Sequence, residues 1–318
     1  MTLSHLAPTK MTKQSIRIGT RDSQLAVWQA THVQSLLLEK GFSSELVLIK
    51  SDGDLDLVTP LYEMGVTGVF TKTLDAALLS NRIDIAVHSM KDVPTQMAQG
   101  IIPAAVLERA NYADLLVPKY KAHFLDDPES IALIATSSIR RKAQWLNRYP
   151  KHSITNLRGN VNTRLRKLSE ENWDGAIFAA AGLERIGLRP PHAIELHWML
   201  PAPAQGAILI VCKEGDAYSK ETCSLLNHAP TAICTKMERD FLRTLSGGCA
   251  TPISALATIQ QDRIIFKGSI FSPDGQDHFS VELEEPFEPG SVSLGVVAAQ
   301  QLLAEGAESI IDEIRNSG

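Results

Sequence analysis

Apolar positions along this chain fall into two alternating patterns. Short runs rich in Ile, Val and Ala give way to stretches in which apolar residues recur every third or fourth position. That alternation predicts strands and helices in turn, the layout of mostly parallel sheets flanked by helices. Ile16 to Thr20 reads as a strand, and Ser23 is placed to cap a helix that runs to about Lys40 and is stopped by Gly41. Leu25, Trp28, Val33, Leu36 and Leu37 give that helix an apolar stripe. Ser44 to Ile49 is the next strand, Phe70 to Ser80 a helix after the loop Gly65-Val66-Thr67-Gly68, and Ile83 to His88 a third strand.

The pattern pauses near Leu107 to Tyr112 and a second unit of the same kind begins. Leu115 to Pro118, Ile131 to Ala135, Ile154 to Leu157 and Ala176 to Ala180 read as strands. Ser138 can cap a helix with Arg140 and Arg141 in its first turn, another helix begins near Val161, and Ala181 to Ile186 turns into a short one. Ala207 to Cys212 is a strand that can return to the first sheet. From about Asp216 the character changes. Two helical stretches lead to Leu245, followed by the loop Ser246-Gly247-Gly248-Cys249 and strands at Ile253 to Thr258, Ile264 to Phe271 and His278 to Leu283. Ser293 to Asn316 reads as one long amphipathic helix. The expected fold is α/β: a tail over 1–15, a first domain from 16–110 with 204–222, a second over 111–203, and a small α+β domain over 223–318.

A chain of 318 residues is too long for one ordinary core, in keeping with this division. No apolar run approaches the roughly 20 residues needed to cross a membrane. The polar start, with Lys10 and Lys13, lacks the apolar centre of a secretory signal, so a cytoplasmic protein is expected. None of the four cysteines forms a Cys-x-x-Cys pair, which predicts free thiols and no metal. Net charge is −5, which argues against nucleic acid as a partner and makes any local cluster of arginines more telling.

Such a cluster is present. Arg21, Arg140, Arg141, Arg158, Arg164 and Arg185 fall at loops or helix starts. A cation in a first helical turn is disfavoured by the macrodipole, a cost that an anionic ligand would relieve. Each could instead be a solvated surface arginine. Lys91 and Asp92 follow the strand ending at His88, where ligands gather in open α/β sheets, and Pro94 prevents the strand from continuing. A surface ion pair worth under about 1 kcal/mol is the competing account. Asp92 could steady a developing cation, and Lys91 could bind an acid group or keep Asp92 ionised. Cys249, after two glycines, sits where an accessible thiol would be, or it is a small buried hydrophobe, the fate expected of Cys212, Cys223 and Cys234. Phe70 could stack on a planar ring or open a helix as a core residue.

Taken in order, Gly19 to Ala26, Asp84 to Pro94, Thr136-Ser137-Ser138-Ile139-Arg140-Arg141, Leu157-Arg158-Gly159-Asn160-Val161, Ala181-Gly182-Leu183-Glu184-Arg185, Pro203-Ala204-Gln205-Gly206 and Gly247-Gly248-Cys249 resemble the porphobilinogen deaminase, or hydroxymethylbilane synthase, family. The resemblance implies two periplasmic-binding-protein-like domains and a third, cysteine-bearing one. It implies a cytoplasmic, monomeric transferase of heme and tetrapyrrole biosynthesis with no nucleic-acid or membrane partner. The implied reaction joins four porphobilinogen molecules head to tail on a covalent dipyrromethane cofactor, releases ammonia at each addition, and ends in hydrolytic release of the linear tetrapyrrole. Cys249 would carry that cofactor as a thioether, with Lys72, Lys91, Ser137, Arg140, Arg141, Arg158 and Arg164 around it. Substrate would meet Arg21, Ser23, Phe70, Arg158, Arg164 and Arg185, and Asp92 would be catalytic. Thr67 stands where the family commonly has a lysine in its glycine-rich loop, which implies redistributed cofactor contacts. A non-catalytic arginine-lined receptor for a small anion, or an inactive relative, is the alternative.

Overall fold

The computed structural model describes residues 15–50, 71–127, 129–245, 251–287 and 294–316. The expectations placed on Thr67, Phe70 and Cys249 lie outside the described residues. The chain first builds β1 (Ile16–Thr20), α1 (Gln24–Glu39), β2 (Ser44–Leu48), α2 (Lys72–Leu79), β3 (Ile85–Ser89) and β4 (Ile101–Val106). It continues through β5 (Asp114–Pro118), β6 (Leu133–Ala135), α3 (Ile139–Arg148), β7 (Ser153–Thr155), α4 (Val161–Glu170), β8 (Gly175–Ala179), α5 (Ala180–Glu184) and β9 (Ile194–Glu195). It then returns as β10 (Ile208–Lys213) and ends with α6 (Ala217–Ser224), α7 (Ala229–Thr244), β11 (Ile253–Gln260), β12 (Arg263–Phe271), β13 (His278–Pro286), α8 (Leu294–Ala304) and α9 (Glu308–Asn316).

Two five-stranded sheets share one plan. The first runs β2-β1-β3-β10-β4 and the second β7-β6-β8-β5-β9. In each, the fourth strand is antiparallel to its neighbours, and it arrives from the other sheet. The chain therefore crosses between the sheets twice, through residues 107–113 and 196–207. Because β5 and β10 run backwards, each begins at the edge where the parallel strands end: Asp114 lies opposite Ala179 of β8, and Ile208 opposite Ser89 of β3. Both crossings thus enter at the edge where ligands collect in such sheets.

Strands flanked on both faces are mostly apolar, and β5 is buried over its whole length. Ser23 caps α1 by accepting from the Ala26 N–H, and Ser138 caps α3 by accepting from the Arg141 N–H. At Gly206, φ is +88° and a Cβ would lie 2.6 Å from the Ala110 carbonyl oxygen, so the two crossings meet in contact that only glycine permits.

The third unit is the antiparallel sheet β11-β12-β13 with α7 and α8 against it, around Phe241 and Phe266. Two corrections to the sequence reading arise. The helix expected over Ser293 to Asn316 is two helices, α8 and α9, broken at Gly306 (φ +109°), because the turn folds Ile310 and Ile311 back onto the same core as Leu302. Strands β4 and β9 were not anticipated. Pro103 interrupts the pattern of β4, and β9 is only two residues long.

Candidate functional site

After β3 the chain makes a single 3-10 turn, Met90–Asp92. Met90 is buried and anchors the turn, which leaves Lys91 half-buried and Asp92 exposed at the strand end. The turn is held from the third unit: Arg239 of α7 donates to the carbonyls of Val93 (2.8 Å) and Pro94 (2.5 Å). Across from it, the loops after β6 and β7 bring Ser137 and Arg158, α5 ends at Arg185, and α3 and α4 add Arg140, Arg141 and Arg164.

Arg140 and Arg141 are both buried, and both close on one carboxylate. Arg140 Nη2 donates to Asp114 Oδ2 at 2.7 Å, while Arg141 Nε and Nη2 donate to Oδ1 at 3.0 and 2.7 Å. Arg140 Nη1 also donates to the Leu200 carbonyl and Arg141 Nη1 to that of Ile177. Burial alone would raise the Asp114 carboxyl, but Arg140, Arg141 and Lys91 hold it well below the usual carboxylate range. The sequence reading assigned these two arginines to an external anion. The structure gives them an internal partner as well, and the three groups together keep one positive charge.

The other cations lie in the same field. Lys91 is lowered to about 8, first by burial and then by Arg141 and Arg140, against the pull of Asp92 and Asp114. Arg164 is lowered to about 10 by burial, Arg141 and Arg158, with Asp92 opposing. These mutual effects locate Lys91, Asp92, Arg140, Arg141, Arg158 and Arg164 in one cluster. Ser137 Oγ accepts from the Leu157 N–H at 2.8 Å, which ties the loop ahead of Arg158 to the start of α3. Arg164 Nε donates to the Gly159 carbonyl at 2.7 Å.

Arg185 is brought to the crossings. Its Nη2 donates to the Gly206 carbonyl at 2.6 Å, and its guanidinium lies over Trp28 of α1, 5.8 Å from the ring centroid. Arg21 and Ser23 lie at the start of α1, and burial followed by Arg21 lowers the His88 imidazole behind them to about 4. The start of α1 meets the start of α4, where Asn162 Nδ2 donates to Gln24 Oε1 at 2.8 Å from the opposite side of the cleft. Lys72 is exposed at the first position of α2. Cys212, Cys223 and Cys234 are buried free thiols; burial raises Cys223 to about 12 and Cys234 to about 11, so neither is a nucleophile.

Four residues escaped the sequence reading: Asp114, Gln205, Glu238 and Arg239. Asp114 carried a signal, a charge opening the apolar run Leu115-Leu116-Val117. Gln205 lies in Pro203-Ala204-Gln205-Gly206, a stretch whose residue types suggest no chemistry. Glu238 and Arg239 sit in a helical stretch that looks ordinary in one dimension. Fully buried Glu238 accepts from both terminal nitrogens of Arg109, from the Ala204 N–H (2.6 Å) and from the Ala257 N–H (2.8 Å). It thus joins both crossings to the third sheet.

The arrangement is a cleft between two sheets, walled by guanidinium groups and holding one exposed carboxylate. It suits a flexible ligand with several carboxylate arms and a site where positive charge develops. Among solved structures, the methionine-binding protein MetQ is similar with a TM-score of 0.44 and 16% identity, over 67% of this chain and 89% of that one. Residues 16–221 match the family described as porphobilinogen deaminase, dipyromethane cofactor binding domain, and residues 232–304 match its C-terminal domain. Relatives named porphobilinogen deaminase include those of Acidithiobacillus ferrooxidans (40% identical, 95% of this chain and 99% of that one), Syntrophotalea carbinolica (41%, 95% and 96%) and Desulfitobacterium hafniense (43%, 95% and 98%). With matches that run through both sheets and into the third unit, the chain belongs to the porphobilinogen deaminase family.

Proposed function

We propose that this cleft joins four porphobilinogen molecules head to tail into hydroxymethylbilane, on a dipyrromethane tethered to Cys249. The observation that carries the proposal is the cluster of Lys91, Arg140, Arg141, Arg158 and Arg164 around one exposed carboxylate, Asp92. Its donor set fits the cofactor. Burial and mutual repulsion hold Lys91 and Arg164 below their ordinary values, and that excess of buried positive charge is relieved by acetate and propionate arms. When bound, the dipyrromethane supplies the free α-carbon to which the first incoming pyrrole is joined.

The protein groups divide the work by chemistry. Lys91, Arg158 and Arg164 bind carboxylate arms, while the pair Arg140 and Arg141, neutralised in part by Asp114, adds a fixed positive wall. Arg21 and Arg185 bind the incoming substrate on the side of α1. Asp92, which can only accept when ionised, takes hydrogen bonds from pyrrole N–H groups. As the aminomethyl C–N bond breaks and ammonia leaves, the cation left on the porphobilinogen ring faces this carboxylate. Such preorganised charge is worth about 10² to 10³ in rate. The Asp92 carboxylate, or water, would take up the proton that a pyrrole α-carbon gives up when it is substituted. A single chain holds every group invoked, which supports a monomer, and the buried free thiols support a reducing, cytoplasmic setting.

Purified protein supplied with porphobilinogen should consume it and yield a product with the absorbance of a linear tetrapyrrole. Intact mass should show an adduct of two pyrrole units that Cys249→Ser abolishes. An active wild-type protein of unmodified mass would overturn the proposal. Asp92→Asn should lose at least about a hundredfold in kcat while keeping the adduct.

A further inference from the structure

Gln205 is fully buried at the end of the second crossing, one residue before the tight contact of Gly206 with Ala110. Its side-chain amide touches three parts of the molecule. Oε1 accepts from Lys91 Nζ at 3.1 Å, and Nε2 donates to the Tyr112 carbonyl at 2.8 Å and to Asp114 Oδ1 at 2.9 Å. Its backbone carbonyl accepts from Arg109 Nε at 2.8 Å. An ammonium only donates and a carboxylate only accepts, so the amide must face Lys91 with its oxygen and Asp114 with its nitrogen. Among side chains of this length, only glutamine offers both ends without a charge.

We propose that Gln205 is a positioning residue: it holds the Lys91 ammonium at the cleft wall and ties it to the Arg140–Asp114–Arg141 cluster of the other sheet. This rests on the reading of Lys91 as a ligand for carboxylate arms. Lys91 sits among charges of both signs, with Asp92 on its own turn, Asp114 at the start of β5, and Arg140 and Arg141 on α3. Burial works against its charge, and a neutral acceptor at 3.1 Å offsets part of that cost without adding a second anion beside Asp114. Removing the acceptor makes the ammonium harder to keep, and an added anion makes it easier.

The test compares Gln205→Met and Gln205→Glu with the wild-type holoenzyme, through the pH dependence of kcat/KM and through the 13Cε shift of Lys91 in lysine-labelled protein. Burial lowers Lys91 to about 8, so the alkaline limb of the profile is expected in that region. Q205M should move that limb and the NMR titration down by about half a pH unit or more, and Q205E should move both up. Activity lost in Q205M should be kept in larger part in Q205E, where Lys91 stays charged beside the carboxylate arms. Unchanged limbs with uniformly reduced activity, a purely structural role, would overturn the proposal. Should Q205M fail to fold, Q205E alone decides, and an unshifted limb and titration there overturns it. The NMR readout needs no turnover, so a wild-type protein that does not consume porphobilinogen would defeat the proposed function while leaving this one to stand or fall on the titration.

Discussion

Asp114 shows how one side chain changes the meaning of two others. Read in one dimension, Arg140 and Arg141 are cations looking for an anion, and half of that demand is met inside the protein. Asp114→Asn should therefore cost about 3 kcal/mol or more, because it leaves two buried guanidinium groups short of their partner; denaturant unfolding will measure it. His152 makes a second prediction at this scale. Its Nδ1 accepts from the Trp145 indole at 3.1 Å, so its Nε2 carries the proton shared with Ser130 Oγ, and the ring must be neutral. Burial lowers its folded value below 6.5. A depressed imidazole stabilises the fold above the unfolded value, and that contribution is lost as pH falls below 6.5 and through the lower folded value. Unfolding midpoints should drop as pH falls below 6.5, and less so in His152→Gln. The capping roles of Ser23 and Ser138 were legible because a cap is local. Asp114 was not, because its partners are 26 and 27 positions away and only the strand order brings them near.

Helix α7 does more than cover the third sheet. Through Glu238 it fixes both crossings, through Arg239 it fixes the turn that carries Lys91 and Asp92, and it ends five residues before Cys249. One helix thus braces both crossings and the turn that carries the carboxylate. Arg239→Met should leave the fold and the adduct intact and lower kcat by roughly tenfold to a hundredfold, the usual effect of about 1 Å of misplacement at a reacting centre. Arg239→Lys, which can reach one carbonyl but not two, should fall between. Steady-state kinetics with intact mass checks both. Nothing in the periodicity of α7 announces this role, because the acceptors are backbone carbonyls, which no side-chain pattern reveals. The break at Gly306 was missed for the opposite reason: the apolar spacing runs on through it, and only its positive φ shows that the chain turns.

Across the whole molecule, the alternation of strands and helices was enough to anticipate two like α/β units, the return of β10 to the first sheet and the smaller antiparallel unit. Where the units lock together could not be read, since those contacts join residues far apart in the chain. Glu238 makes several of them. Glu238→Ala should remove about 3 to 5 kcal/mol of coupling and split one calorimetric transition into two, with the third unit melting apart from the paired sheets. A single unbroken transition would count against it. The contact of Gly206 with Ala110 sets both connecting segments side by side at the bottom of the cleft, while the Gln24–Asn162 amide pair spans its lips. Tied along its crossings, and across from them by the Gln24–Asn162 amides and by Arg185 over Trp28, the molecule is expected to part like a book. Its pages spread most at the free margin, where a neutral hydrogen bond worth about 1 kcal/mol is easily broken, and least beside Lys91 and Asp92. On the proposed reaction, room for each added ring should then be made at the margin, with the reacting centre left in place between one addition and the next.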